Sequence, residues 1–177
     1  MKYIFPTLIY LSFTLSTNLH ADIPIQSTPS EHSDEEVYGH IEEILVVPGK
    51  IKLQARLDTG ALRNSIHAED IKHFKIDDED WVSFTVDDHN GNLYKMKRPL
   101  IDTVTVQQAS GAQDREVVTL GLCVGTVYKE SRFTLADRSH MTYPVLVGRN
   151  FLKESVLVSS SDKLTAEPDC AFNKVNY

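Results

Sequence analysis

Ile51, Leu53, Ala55 and Leu57 alternate with Lys52, Gln54 and Arg56, the two-residue period of a strand with one buried face. Short apolar or alternating runs recur at residues 81–86, 93–96, 103–107, 116–120, 125–128, 131–135 and 145–147. Turn residues separate them. Asn90-Gly91 is the dipeptide of a type I′ hairpin, since both positions tolerate positive φ, and Ser110-Gly111 marks another turn. Helical spacing is confined to two short pieces, 68–74 and 149–154. Many short strands with frequent turns predict an all-β barrel or sandwich, and no internal repeat is visible.

The pattern changes at both ends. Lys2 precedes an uncharged apolar and hydroxylated stretch from Tyr3 to Leu15, and Leu19-His20-Ala21 offers a small residue before Asp22. That is the outline of a secretory signal peptide over residues 1–21, too short for a comfortable membrane span, with an uncleaved anchor as the alternative. Residues 22–39 read as an acidic flexible linker: Pro24 and Pro29 flank polar residues, and Glu31, Asp34, Glu35 and Glu36 have no Lys or Arg among them. The expected domain covers 40–159, followed by a tail over 160–177. Export to the periplasm or beyond is the expectation, without stable membrane insertion once the signal is removed.

Composition narrows the class. The 177 residues carry 18 Lys plus Arg against 25 Asp plus Glu, a net charge of −7, and loss of residues 1–21 removes Lys2 and no acid, giving −8. A nucleic-acid binder needs a basic face to displace counterions, so that class is disfavoured. With 41% hydrophobic and 24% charged residues, the chain reads as one ordinary globular domain. Two cysteines are too few for a disulfide scaffold or a cysteine-based zinc module. In an oxidising compartment Cys123 and Cys170 are able to pair and tie the tail to the body, which the chain-entropy treatment values at roughly 4 kcal/mol. The alternative is a buried free thiol, because Cys123 sits in an apolar run.

Several chemistries drop out. The chain has no HExxH helix, no GxxxxGK[ST] phosphate loop and no GxSxG elbow. Its seven His (20, 32, 40, 67, 73, 89 and 140) are scattered, and His67 and His73 are off the helical i, i+4 spacing. A solvated or surface hydrogen-bonding role is expected of each, and neither a metal nor a cofactor is expected.

Asp58-Thr59-Gly60-Ala61 follows the clear strand directly. A carboxylate at a strand end can be aimed into a cleft, a following Thr can anchor its loop, and Gly lets the backbone turn closely against a neighbour. A simple strand-to-turn corner uses the same residues. The second element, Val145-Leu146-Val147-Gly148-Arg149-Asn150-Phe151-Leu152, favours the first reading.

DTGA followed some 90 residues later by an apolar–Gly–Arg–Asn segment resembles the retropepsin-like aspartic peptidases, retroviral proteases included. The likeness is closer to a bacterial branch long labelled ATP-dependent zinc proteases. It extends from Tyr38 to Leu152 through Gly39, Glu42, the 55–61 segment, Ser65-Ile66-His67-Ala68 and Trp81-Val82-Ser83-Phe84. It continues through Ser110-Gly111, Arg115-Glu116-Val117-Val118, Asp137-Arg138, Met141 and Tyr143-Pro144. Neither half of the old label fits, since zinc-ligand spacing and a nucleotide loop are both missing. The family pattern is broken at Leu62-Arg63-Asn64, where small hydroxyl residues usually stand. Arg63 is expected to face solvent.

The resemblance implies a closed β-barrel of the acid-protease type, a single lobe that dimerises. It implies Asp58 as catalytic residue, with Thr59, Gly60 and Ala61 supporting its loop. Such chemistry needs two carboxylates sharing a proton, and one DTGA per chain therefore implies a homodimer acting on a peptide or protein substrate. Ser110 and Gly111 become the candidate flap, and the Asn90-Gly91 hairpin an insertion. Gly148, Arg149 and Asn150 are expected to pack behind the active loop, with Arg149 pairing an acid at or near the interface. Asp137-Arg138 reads as an ion pair or turn. Arg115 and Glu116 read as substrate channel or solvated strand face. The function implied is an aspartic endopeptidase. The alternatives are a narrow peptidase trimming peptide or isopeptide tails made by an ATP-grasp ligase, or a non-catalytic peptide-binding module.

Overall fold

A computed structural model describes residues 35–171 except His89, Ala109 and Ser110. The expected signal peptide, residues 22–34 of the expected linker, and Ser110 of the candidate flap lie outside the described residues. The described chain is nearly all β, as the short alternating runs require: eleven strands and one short helix. In order these are β1 (Glu36–Val47), β2 (Ile51–Leu57), β3 (Asn64–His67), β4 (Glu69–Ile76), β5 (Glu79–Asp87) and β6 (Leu93–Pro99). There follow β7 (Asp102–Gln108), β8 (Gly111–Val124), β9 (Val127–Ala136), β10 (Val145–Val147), α1 (Arg149–Leu152) and β11 (Val156–Lys163).

Six strands form a ring in the order β1-β2-β10-β3-β9-β8, closed by pairing of β8 with β1. β1 makes closure possible because it is shared along its length. Residues 36–41 pair with β11, and Ile44–Val47 pair with β8. β7 adds to the outer edge of β8, and β4, β5 and β6 form a separate three-stranded sheet. The strict alternation of β2 puts Ile51, Leu53, Ala55 and Leu57 inside, where Ile44, Ile66, Leu120, Leu122, Phe133 and Phe151 complete the core. This ring is the retropepsin-like architecture that the resemblance implied.

Three local expectations change. Residues 68–74, expected as helix, form β4. Asp70 takes φ 52°, and the register shifts between Glu69 and Lys72, a β-bulge. The extra residue offsets the alternation, so half-buried Ile71 and Phe74 fall three apart and imitate a helical face. The connection at Asn90-Gly91 joins β5 to β6 but spans five residues rather than two. Asp88 Oδ1 accepts the Asn90 and Asn92 N–H at 2.8 and 3.1 Å, and Gly91 takes φ 90°. Lastly, residues 36–39 of the expected linker are strand, and β11 runs past residue 159 into the expected tail.

The segment after β11 is fastened to the barrel. Glu42, fully buried, accepts from the Gly39 N–H at 2.7 Å, the Thr165 hydroxyl at 2.6 Å and the Thr165 and Ala166 N–H groups. Cys123 and Cys170 are joined in a disulfide, so the pairing alternative holds over the free thiol.

Candidate functional site

Asp58 follows the last core residue of β2, and its N–H donates to Val147 O of the parallel neighbour β10 at 2.8 Å. The chain then turns on the carboxylate itself. Asp58 Oδ1 accepts the Gly60 N–H at 2.8 Å and the Ala61 N–H at 3.3 Å. Both loop bonds go to Oδ1 and neither to Oδ2, so one carboxylate oxygen shapes the loop. The carboxylate is half-buried, whereas Thr59 and Gly60 are exposed beside it.

The Gly148-Arg149-Asn150 segment holds this loop from behind, as expected. The Arg149 and Asn150 N–H groups donate to Ala61 O and Leu62 O at 2.9 and 3.0 Å. A Cβ on Gly148 would stand 2.6 Å from Arg63 O, so only glycine lets the two segments meet this closely. The Arg149 guanidinium was expected to find an acid. Instead Arg149 Nη1 donates to Thr59 O and Gly60 O, both at 2.8 Å, stapling the loop to the start of α1. α1 is closed at its other end by Lys129, whose ammonium donates to Phe151 O and Lys153 O. Burial lowers the Lys129 pKa, against the pull of Glu154.

Asn64 was visible in sequence only as a departure from the family pattern. It is fully buried and joins three elements: Oδ1 accepts the Gly148 N–H at 2.9 Å, Nδ2 donates to Arg132 O at 3.1 Å, and Asn64 O accepts the Thr134 hydroxyl. β3 reads Asn-Ser-Ile-His, three polar residues in four, so no local signal marked its burial. Arg63 is exposed, as expected.

A second charge lies within electrostatic reach of the carboxylate. Arg138 is half-buried, with Nε donating to Tyr143 O at 3.2 Å. Burial and the nearby Arg115 lower its pKa, while Asp58 acts in the opposite direction. Arg138 is therefore not the ion-pair partner of Asp137. The Asp137 carboxylate turns to Ser139 instead, accepting its N–H at 2.9 Å, and these bonds hold it below the usual carboxylate range.

His67 corrects the expectation of a surface role. It is 1% exposed, because β3 is buried along its whole length between β10 and β9. Its Nδ1 accepts the Arg138 N–H at 2.9 Å, and Nε2 lies 3.3 Å from Glu69 Oε1. A core histidine thus sets the backbone that carries Arg138. No group of three metal-ligating side chains occurs among the described residues.

Asp58 is not among the residues lining a nearby cleft of about 510 Å³. That cleft is lined by Thr59, Leu62, Arg149, Asn150, Leu152 and Val156 among others. At the candidate flap, β7 and β8 pair antiparallel as far as Gln108 opposite Gly111, which takes φ 117°.

A model of the RimB-like family, described as retropepsin-like aspartic endopeptidase RimB, matches residues 37–169. The chain is similar to a probable alpha-L-glutamate ligase of Desulfotalea psychrophila, 31% identical over 110 residues, covering 60% of this chain and 24% of that protein. A protein of the same description from Shewanella pealeana is 30% identical over 114 residues, covering 62% and 25%. The chain thus spans about a quarter of the length of these curated relatives. Among solved structures, a Legionella pneumophila protein of unknown function is similar at TM-score 0.66 and 25% identity, covering 74% of this chain and 98% of that one.

Proposed function

The chain belongs to the RimB-like family of retropepsin-like aspartic endopeptidases, and on that footing we propose that it hydrolyses peptide bonds as a homodimer. The observation that carries the reading is the Asp58 loop: a half-buried carboxylate with one oxygen fixed by backbone N–H groups, braced from behind by Gly148 and Arg149. One such loop per chain supplies one carboxylate. Two subunits place two Asp58 side chains together, where like charges at close range share a proton. One carboxylate then takes a proton from the attacking water while the other protonates the scissile carbonyl; on collapse the first passes its proton to the leaving amine and the second recovers one from the gem-diol hydroxyl.

The surface around the loop supports the pairing. Leu62 is 52% exposed beside Thr59, and Val37 and Leu157, partners in the β1–β11 ladder, are 61% and 43% exposed. An apolar rim next to a catalytic loop is what a second copy of the chain would cover. The β7–β8 hairpin is the proposed flap, closing over substrate to exclude water. A disulfide suits an oxidising compartment, so the protein is proposed to work after export, in the periplasm or outside the cell.

A narrower substrate reading has its own support. The relatives named as glutamate ligases contain a segment similar to this chain, and Arg138 lies within electrostatic reach of Asp58 in a chain of net charge −7. A peptidase trimming acidic peptide tails, of the sort a glutamate ligase would make, fits both. A non-catalytic binding module has no use for the Asp58 carboxylate.

The test compares the wild type with Asp58→Asn on a peptide mixture that includes oligoglutamate, from acid to neutral pH. Cleavage is expected to fall at least about a hundredfold. Titrating excess Asp58→Asn chain into wild type should also suppress activity as mixed dimers form. Undiminished cleavage by the variant would overturn the aspartic mechanism. Activity that ignores added variant, despite subunit exchange, would overturn the shared site.

A further inference from the structure

β6 is one of the two edges of the three-stranded sheet. It pairs with β5 along its whole length, from Leu93 opposite Asp87 to Pro99 opposite Trp81, and no strand among the described residues pairs with its other side. A cleft of about 430 Å³ runs along that side. It is lined by five consecutive residues of β6, Leu93 to Lys97, and walled by Pro48, Gly49 and Ile51 of the β1–β2 turn. Consecutive residues of one strand line a single cleft only when the cleft follows the strand edge, where the free peptide N–H and C=O groups point. The site is remote from the Asp58 loop. Ile51 begins β2 and Leu57 ends it, about 20 Å away at strand rise.

The two faces of β6 differ in chemistry. Tyr94 and Met96 point inward with Ile51 and Pro48 nearby, an apolar lining. Lys95 and Lys97 point outward, and Lys72 joins them across the sheet, because Lys72 and Lys97 both stand opposite Ser83. The three lysines line a second groove of about 400 Å³ on the outer face, with Asp70 as its acidic member. None of the three is in an ion pair among the described residues. Lys97 lies 5.9 Å from the centre of the Phe74 ring. Unpaired positive charge is thus concentrated on one sheet face of a chain with net charge −7.

We propose that the edge of β6 takes an extended peptide in which acidic residues alternate with apolar ones. Such a segment adds a strand through main-chain hydrogen bonds. Its alternate side chains then fall on the two faces, carboxylates to Lys95 and Lys97 and apolar groups to Met96, Tyr94 and Ile51. A second copy of this chain is a poor occupant, because edge-to-edge pairing of two β6 strands sets Lys against Lys. Lysines also guard open edges against non-specific pairing. That role alone predicts no selectivity for an alternating acidic sequence.

The experiment uses a nine-residue synthetic peptide with Glu at alternate positions and Val between, and an isomer with the same residues in two blocks. Binding is followed by amide chemical shifts and hydrogen exchange in the full chain carrying Asp58→Asn, so that hydrolysis does not consume the probe. Shift changes and slowed exchange are expected at residues 93–97, with salt-sensitive affinity at least about tenfold above that of the block isomer. Lys95→Glu with Lys97→Glu is expected to weaken binding about tenfold or more at an unchanged thermal midpoint. The neutral pair Lys95→Gln with Lys97→Gln should give a smaller loss. The proposal is overturned by no change at 93–97 with millimolar peptide, by equal binding of the isomers, by shifts confined to the Asp58 loop, or by full affinity in the folded charge-reversed variant.

Discussion

Gly148 is the residue at which sequence, packing and chemistry meet most tightly. Its missing side chain lets the start of α1 approach the 61–63 backbone, where an added Cβ would overlap Arg63 O at 2.6 Å and Ala61 O at 3.0 Å. Both contacts are to backbone, which cannot rotate away. Gly148→Ala is expected to cost about 1–3 kcal/mol by urea unfolding. Activity should fall more than stability, since the strain lands on the loop carrying Asp58. Stability loss with kinetics per folded molecule unchanged would show that this packing does not position the carboxylate. Asp58, Gly148 and Arg149 were all legible in the sequence as motif. The Asn64 and His67 roles were not, because a buried polar group is defined by partners far along the chain: Gly148 for the one, Arg138 for the other.

At the scale of elements, β2 shows what local pattern conveys, and β4 shows its limit. β2 alternates without interruption, and each of its residues lies on the face that its parity predicts. β4 contains a bulge, which moves every later side chain to the other parity, and the period read from sequence then points to a helix. The β5–β6 connection adds an acid-sensitive feature. Burial resists ionisation of Asp88, but hydrogen bonds from the Asn92 side chain and the Asn90 and Asn92 backbone together outweigh it and lower its pKa. A depressed folded pKa adds stability above the unfolded value, roughly 3.9, and that stability is lost as pH falls through the folded value. Protection of the amides of residues 90–92, relative to their intrinsic exchange rates, should therefore fall below about pH 4 in the wild type. Asp88→Asn should flatten that change, and an unaltered pH profile would remove Asp88 as its source.

For the molecule as a whole, closure of the ring and attachment of the C-terminal segment are the long-range events. Glu42 gathers Gly39, Thr165 and Ala166, and the disulfide joins β8 to Cys170. Cys123→Ser with Cys170→Ser is expected to lower unfolding free energy by up to about 4 kcal/mol, since the bridge closes a loop with sequence separation 47. The Asp58 loop should keep its structure, because none of its hydrogen bonds passes through the 164–171 segment. Equal urea midpoints for wild type and double variant would show the bridge to be energetically idle. Composition and alternation were enough to establish a strand-rich domain, and the Asp58 and Gly148 motifs with their order assigned it to a retropepsin-like lobe. Those are properties of neighbours in sequence, where side-chain period and turn chemistry act directly. Tertiary structure alone decided that Arg149 staples the loop through two carbonyls, that Arg138 comes within electrostatic reach of Asp58, that Cys123 meets Cys170, and that β6 is left open beside its lysines. Each of these depends on which distant segments ring closure brings within a few ångströms, and no local period encodes that.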